Sequence, residues 1–253
     1  MRTACPVRSM RTVRLFSMPA PPMPATRPTA LVTGASRGIG RAIAERLAPT
    51  HDLILVARDI GHLHDVAAAC QALGAAAHII ALDVEDSAST DAALTGLHVD
   101  VLVNNAGVAV FKPFLEMTAA EWHRQVDVNV NALFHVTRAV LPGMVARQRG
   151  HVCTVGSIAG RYASVGGSCY AGTKHFVMGF SESLMLEVRD AGVGVSVVMP
   201  GSVDTDLMAP GTKRDWMLEP RDVAETVAFA VSQPAHVLLH RLEVRPLSPK
   251  RPR

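Results

Sequence analysis

Tyr170 and Lys174 are separated by one turn of a predicted helix, a spacing that can place a phenol beside an ammonium group. The two residues lie in the segment CYAGTK of a chain that has only two tyrosines. Side chains four residues apart share one face of an α-helix. A free phenol has a pKa of about 10, and a nearby cation favours its phenolate form. The pair therefore indicates an acid–base group, with an ordinary helical pair as the alternative.

Further polar positions occur where such a group would need partners. Ser157 ends a predicted strand, TVGS, and Asn129 lies on a long predicted helix within VDVNVNALF. The segments NNAG, residues 104–107, and PGSVDT, residues 200–205, close two more predicted strands. Because the carboxyl ends of parallel strands meet at one edge of a sheet, we expect these positions to converge on one site.

A regular alternation of apolar strands and helices begins at Thr29. The predicted helices are 39–47, 61–73, 87–97, 118–147 (in which Pro142 could introduce a bend), the helix that carries Tyr170, and 219–233. The predicted strands are TALVTG, DLILVAR, AHIIALDV, VDVLVNNAG, GHVCTVGS, GVSVVMPG and LHRLEVRPL. Such strands are buried on both faces and pair in parallel through right-handed crossovers. We predict an α/β fold, a Rossmann-type doubly wound parallel sheet, in a single domain over residues 29–247.

The composition excludes several classes of protein. With 49% hydrophobic and 19% charged residues, the chain resembles a soluble globular protein. Its formal net charge is +3, and the basic excess lies at the two ends, which argues against a nucleic-acid partner. No apolar run approaches the ~20 residues that span a bilayer, so no membrane partner is expected. His62 and His64 point apart on a helix, and no metal site is expected.

The cysteines and the two ends of the chain carry further expectations. The cysteines form no CxxC pair, which favours reduced thiols in a cytoplasmic protein. Residues 1–28 are rich in arginine, lack acids and contain MPAPPMPATRP, in which the prolines would break an amphipathic helix. A disordered or mis-assigned leader is therefore favoured over a transit peptide, and residues 248–253 form a basic tail. The cysteines are Cys5, Cys70, Cys153 and Cys169.

A glycine-rich turn, TGASRGIG, joins the first predicted strand to its helix. Glycines let the backbone turn tightly and approach a pyrophosphate, whose charge then faces the N-terminus of the helix. Such turns also occur where packing is tight, but the position between a strand and a helix favours a nucleotide. The residues expected to bind it are Gly34, Ser36, Arg37, Gly38, Ile39 and Gly40.

The end of the second predicted strand favours NADP(H) over NAD(H). A dinucleotide fold that prefers NAD usually places an acid at this point, whereas this chain has Ala57 followed by Arg58. Arg58 and Arg37 could hold a 2′-phosphate through charge-assisted hydrogen bonds. The alternative is that Arg58 is a solvated loop residue and Asp59 binds the ribose.

In combination, these motifs resemble the short-chain dehydrogenase/reductase family in its single-domain form, from about Thr29 to Leu247. The glycine loop, NNAG, the helical asparagine, the serine, YxxxK and PG occur in the family's order. The resemblance implies hydride transfer between NADP(H) and a carbonyl or secondary alcohol substrate. The residues that it implies as catalytic are Asn129, Ser157, Tyr170 and Lys174.

The resemblance also implies a role for each residue. Tyr170 is the general acid for carbonyl reduction and the base for alcohol oxidation, and Ser157 hydrogen-bonds the substrate oxygen. Lys174 holds the nicotinamide ribose and lowers the pKa of the phenol, while Asn129 positions a water for proton relay. The other implied cofactor contacts are Asp83, Val84, Asn104, Ala106, Gly107, Pro200, Gly201, Val203 and Thr205.

The substrate is expected over Tyr170 and Ser157, against a mostly apolar lining. Basic side chains nearby could meet a carboxylate or a phosphate-bearing carrier, or simply solvent. The expected apolar lining is Phe111, Phe114, Tyr162, Leu207, Met208, Trp216 and Met217. The basic side chains are Lys112, Arg161, Lys213 and Arg214.

Two other functions remain open. An NADP-dependent epimerase or dehydratase also uses YxxxK, but such chains normally carry a longer segment after the position of Pro200. A catalytically silent NADP-binding regulatory protein is disfavoured by the intact set of four catalytic positions. The chain ends in RLEVRPLSPKRPR, without the Gly-Gly segment of many family members, which puts the usual tetramer contact in doubt. A homodimer or homotetramer through the helices around 118–147 and 170–190 is expected.

Overall fold

The structure, a computed structural model, describes residues 27–207 and 215–247. Some residues discussed from the sequence lie outside these ranges. They are the leader up to residue 26 with Cys5, the residues Met208, Lys213 and Arg214, and the basic tail 248–253.

The described residues form one seven-stranded sheet. Its strands are β1 (Thr29–Thr33), β2 (Asp52–Ala57), β3 (Ala77–Ala81), β4 (Val101–Asn104), β5 (Gly150–Val155), β6 (Val193–Pro200) and β7 (Arg241–Val244). The order is β3-β2-β1-β4-β5-β6-β7, and every neighbouring pair is parallel. The strand order reverses between β1 and β4, which is where ligands bind in open sheets of this kind. The predicted doubly wound parallel sheet is confirmed.

Helices cover both faces of the sheet and create two separate cores. They are α1 (Gly38–Leu47), α2 (Ile60–Ala72), α3 (Ser87–Leu94), α4 (Ala119–Val126), α5 (Ala132–Ala146), α6 (Ser168–Val188) and α7 (Pro220–Val231). Ala30 and Val32 of β1 pack with α1, α2 and α7, whereas Leu31 packs with α3, α5 and α6. Successive strand residues point to opposite faces, so burial on both sides explains why the central strands are continuously apolar.

The long helix predicted over 118–147 is interrupted. A capping box between Thr118 and Glu121 starts α4, and a π-helical turn at Asp127–Asn131 separates α4 from α5. The helical assignment continues through Pro142, the position at which the sequence suggested a bend. Single π turns often occur at functional sites, and this one carries Asn129.

The described cysteines are structural. Cys70, Cys153 and Cys169 are buried and form no disulfide among the described residues. Burial raises the pKa of the Cys70 thiol to about 11 and that of Cys153 to about 12, and it raises the pKa of Cys169 as well. These thiols therefore remain protonated and unreactive at neutral pH. Among the helices of the described ranges, none has both the length and the hydropathy to cross a bilayer.

Candidate active site

The glycine loop after β1 forms a cradle that fits a phosphate group. Gly34 and Gly38 adopt φ angles of +65° and +55°, which side chains rarely allow. A Cβ on Gly40 would lie 2.1 Å from the carbonyl oxygen of Gly34, so only glycine allows this close approach. The Arg37 side chain makes no cap hydrogen bond to α1, and the first turn of α1 contains no acid. The backbone N–H groups and the positive end of α1 can therefore bind an anion.

The ends of β1 and β4 are held together beside this cradle. The Thr33 hydroxyl accepts hydrogen bonds from the backbone N–H groups of Asn105 (3.0 Å) and Ala106 (3.1 Å). The Asn105 side chain donates to the carbonyl of Thr33 at 2.9 Å. Neither Thr33 nor Asn105 was singled out from the sequence, although both belong to the motifs TG and NNAG. Their contacts fix the width of the crevice at the strand-order reversal.

Asn104 and Gly107 serve this segment in different ways. The Asn104 amide donates to the Thr137 hydroxyl at 3.0 Å within the core, so this N–H anchors β4 to α5. A Cβ on Gly107 would lie 3.3 Å from Asn129 Oδ1 and 3.9 Å from Lys174 Nζ. Gly107 therefore borders the predicted catalytic group, whereas the Asn104 side chain is turned into the protein.

The structure brings together three of the predicted catalytic side chains. Ser157 follows β5, and its hydroxyl lies close enough to the Tyr170 phenol to lower the pKa of that phenol. Lys174 lies one turn beyond Tyr170 on α6, with its Nζ 5.8 Å from the centre of the Tyr170 ring. Lys174 Nζ also donates to the carbonyl of Val155 at 3.1 Å. All three side chains are buried. This is the arrangement of an acid–base group in a site shielded from water.

Asn129, the fourth predicted residue, braces the site. Its Oδ1 accepts from the backbone N–H of Val108, and its Nδ2 donates to the carbonyl of Val108, both at 2.9 Å. Nδ2 also donates to the Thr173 hydroxyl at 3.1 Å, and that hydroxyl donates to the carbonyl of Tyr170. Both amide N–H groups are thus used within the protein. The Asn129 side chain links the segment after β4 to α6.

The electrostatics of the site differ from the expectation in one respect. Burial raises the pKa of the Tyr170 phenol above its ordinary value, although the nearby Ser157 hydroxyl opposes this shift. Burial also lowers the pKa of Lys174 to about 8. The expected lowering of the phenol pKa by Lys174 is not present in the protein alone. The lysine lies over the ring, and burial disfavours the charged form of both groups.

The two arginines predicted to recognise a 2′-phosphate are exposed and loosely paired. Arg37 Nη1 lies 3.4 Å from Asp206, and Arg58 Nη1 lies 3.7 Å from Asp83 and 3.9 Å from Glu85. Exposed pairs of this kind are weak and can exchange for a stronger anion. Asp83 thus contacts Arg58 at the edge of the crevice.

Asp59 is already engaged as the N-cap of α2. Its Oδ1 accepts from the backbone N–H of His62 at 3.0 Å, and its Oδ2 lies 2.8 Å from the His62 ring. These hydrogen bonds lower the pKa of the Asp59 carboxyl. The alternative in which Asp59 binds a ribose would have to break this cap. Across the described ranges, no group of three histidine, cysteine or acidic side chains is arranged to hold a metal.

The remaining predicted cofactor contacts line the crevice or support it. Gly201 follows β6, and its N–H bonds the carbonyl of Val244 at 2.8 Å, which holds the PG turn against β7. Thr205 lies beside the glycine loop, since its Cγ2 would be 3.5 Å from a Cβ on Gly38. The supporting residues are Ser36 and Ile39, half-buried in and after the loop, Val84 and Val203, buried, and Pro200, the last residue of β6.

One aromatic residue of the expected substrate lining contacts Tyr170. The Phe111 ring is tilted against Tyr170, with 5.3 Å between the ring centres, and 49% of Phe111 is exposed. Tyr162 is half-exposed, and its ring faces the guanidinium of Arg245 at 4.7 Å. Phe111 therefore provides one wall above the Tyr170 ring.

The basic residues expected near the substrate are neutralised where the structure describes them. Lys112 pairs with Glu121 at 2.5 Å, and this contact lowers the pKa of Glu121 to about 2. Arg161 pairs with Glu243 at 3.2 Å. These pairs disfavour a strong anion site at either residue.

Comparisons with known proteins point in one direction. A family model described as short chain dehydrogenase matches residues 28–216. The NADP-dependent 3-hydroxy acid dehydrogenase of Escherichia coli K12 is 35% identical over 237 residues, covering 86% of this chain and 94% of the relative. An alcohol dehydrogenase from Thermococcus sibiricus, complexed with 5-hydroxy-NADP, has a TM-score of 0.81 at 30% identity, covering 90% and 99% of the two chains. The closed form of a serine dehydrogenase complexed with NADP+ has a TM-score of 0.79 at 34% identity, covering 85% and 94%.

The phenol of Tyr170 should titrate above the ordinary value of 10 in the protein alone, because burial disfavours the phenolate. Phenolate absorbance measures this directly in the variant Tyr162→Phe, in which Tyr170 is the one remaining tyrosine. Adding Ser157→Ala should raise the pKa further, because it removes the hydroxyl that lowers it. A phenolate that forms below the ordinary value would contradict this description of the site.

Proposed function

Because the chain belongs to the short-chain dehydrogenase family of oxidoreductases, we propose that it uses NADP(H) to interconvert a carbonyl compound and a secondary alcohol. The observation that carries this proposal is the burial of Ser157, Tyr170 and Lys174 together, with Lys174 Nζ 5.8 Å from the centre of the Tyr170 ring. A phenol, a second hydroxyl and a cation in one protected crevice form a proton-transfer group for a substrate oxygen.

The cradle and the exposed arginines are proposed to hold the dinucleotide. The backbone of Gly34–Gly40 and the N-terminus of α1 would bind the pyrophosphate, and Arg37 and Arg58 the 2′-phosphate. When bound, NADPH supplies the hydride, and NADP+ accepts it in the reverse direction. The absence of an acid at Ala57 and the cap made by Asp59 favour NADP(H) over NAD(H), as do the NADP-dependent relatives.

In the reduction direction, Tyr170 is proposed to donate its proton to the substrate oxygen as the carbonyl carbon is reduced. The raised pKa keeps this phenol protonated at neutral pH, which is the form that an acid needs. Ser157 would hold the same oxygen by a hydrogen bond and stabilise its developing charge. In the oxidation direction, the phenolate of Tyr170 would accept the proton of the alcohol.

Lys174 is proposed to supply the positive charge that proton transfer by Tyr170 requires. A phenolate formed after proton donation is stabilised by an ammonium in a poorly solvated site. Lys174 carries that charge below its pKa of about 8 and loses it as the pH rises further. The same side chain would hold the ribose hydroxyls of the nicotinamide half.

The substrate is proposed to be a compact carbonyl compound or secondary alcohol that packs against Phe111. The neighbouring Lys112 and Arg161 are ion-paired, so they favour a neutral or weakly anionic substrate. The named relatives act on a 3-hydroxy acid, serine and alcohols, which makes small ketones and short hydroxy acids the first compounds to assay. NADPH binding without turnover of any of them would favour a silent NADP-binding protein instead.

Self-association and location stay predictions. Exposed aromatic rings occur on the helices expected to pair subunits: Phe134 on α5, and Phe176 on α6, where it stacks with Phe180 at 5.6 Å. Such rings suit a contact with a second copy, in a homodimer or homotetramer. The free cysteines suit the proposed cytoplasmic location.

Tyr170→Phe should reduce the turnover of carbonyl substrate by about 10²–10⁴-fold, since it removes the proton donor and keeps the ring. NADPH binding, followed by fluorescence, should be nearly unchanged. Tyr162→Phe makes the same chemical change at the other tyrosine, which is half-exposed, and should lose far less activity. Substantial turnover by Tyr170→Phe would overturn the assignment.

Arg58→Asp should weaken NADPH binding by about tenfold or more, because one charge-assisted hydrogen bond is lost and a repulsive charge is gained. NADH binding should be unchanged or stronger. Arg46→Asp is the matched control, since Arg46 is an exposed arginine at the far end of α1, paired with Glu225 at 2.7 Å. Equal NADPH affinity in the wild type and Arg58→Asp, measured by titration calorimetry, would be the contrary result.

A further inference from the structure

A small cavity lies next to Lys174, between the sheet and α5. Its volume is about 20 Å³. Thr154 of β5 and Lys174 of α6 both line it, as do Asn104 and Asn129. A single water molecule needs about 10–15 Å³, so the cavity has room for an ordered water.

Thr154 contributes a hydroxyl whose bonding is incomplete. The residue is only 3% exposed, and within the described residues its Oγ1 has no hydrogen-bond partner. Buried hydroxyl groups are almost always hydrogen-bonded, to protein or to an ordered water, because an unpaired one costs free energy. On β5 the side chain of Thr154 points to the same face as Val152, toward the layer of α5 and α6. This direction leads into the cavity.

Lys174 has hydrogen-bond donors without an acceptor among the described residues. An ammonium has three N–H donors, and across the described ranges Lys174 Nζ has one hydrogen-bond acceptor, the carbonyl of Val155. The residue is 7% exposed, so bulk water has little access to it. Asn129 cannot donate to a water through its side chain, because Val108 and Thr173 accept from both of its N–H groups.

From these observations we propose that Thr154 is a positioning residue that holds one buried water molecule against Lys174. The water accepts a hydrogen bond from the ammonium and shares a second with the Thr154 hydroxyl. Its role is to direct Nζ and to sustain the positive charge on Lys174 while Tyr170 gives up its proton. The kinetic part of this inference rests on the proposed oxidoreductase function, whereas the water site itself does not.

The test compares three variants. Thr154→Val keeps the shape of the side chain and removes the hydroxyl, and Thr154→Ser keeps the hydroxyl. Thr90→Val is the matched control, since the Thr90 hydroxyl on α3 is also buried without a partner among the described residues, but it does not line the cavity. Crystal structures of the ligand-free wild type and Thr154→Val, and steady-state kinetics of all the proteins, provide the readouts.

A water within hydrogen-bonding distance of Thr154 Oγ1 and Lys174 Nζ is expected in the wild type and not in Thr154→Val. The kcat of Thr154→Val should fall about tenfold or more, the effect of losing one hydrogen bond to a charged group. Thr154→Ser should recover most of kcat, and Thr90→Val should match the wild type.

Three results would overturn the inference. They are a wild-type cavity without the water, an unchanged kcat in Thr154→Val, and equal losses in the valine and serine variants. If the wild type turns over no carbonyl, the proposed function fails, yet the crystal structures still decide whether Thr154 holds the water.

Discussion

The burial of Lys174 is the constraint on which the rest of the site depends. An ammonium group in a poorly solvated position is costly unless the protein or a ligand supplies acceptors, and here the described chain supplies one carbonyl, that of Val155. Burial lowers the pKa of the lysine to about 8. At neutral pH the lysine is therefore charged but close to losing its proton, so its charge is sensitive to a change of charge at Tyr170.

The position of this lysine is set by the packing of α6 against the turn that follows β5. A Cβ on Gly160 would lie 2.7 Å from the carbonyl oxygen of Lys174, so glycine is needed where the turn after Ser157 meets α6. From the other side, Asn129 in the π turn is bonded to Val108 and Thr173. These contacts position the serine, the tyrosine and the lysine before any ligand arrives, which is the geometric preparation that catalysis requires.

Much of this arrangement could be predicted from the sequence, because motifs carry local information. Continuous apolar strands predict a buried parallel sheet, and TGASRGIG predicts a tight turn at a helix N-terminus. The spacing of Tyr170 and Lys174 predicts a pair on one helix face, and the family resemblance adds Ser157 and the role of each residue. Three features depend on contacts between distant segments, which spacing does not encode. They are the π turn, the hydrogen bonds that the Thr33 hydroxyl accepts from Asn105 and Ala106, and the partners of Asn129. The direction of the Tyr170 pKa was missed for the same reason, since it follows from burial.

Lys174 is a buried ammonium that loses its proton at a lower pH than a solvated lysine does. The chain has four lysines, so carbon-13 labelling of lysine side chains gives a simple NMR spectrum, in which Lys174→Met assigns the Lys174 signal. In the ligand-free protein, Lys174 should be charged at low pH and should lose its proton with a midpoint of about 8. A midpoint at the ordinary lysine value of 10.5 would contradict the account.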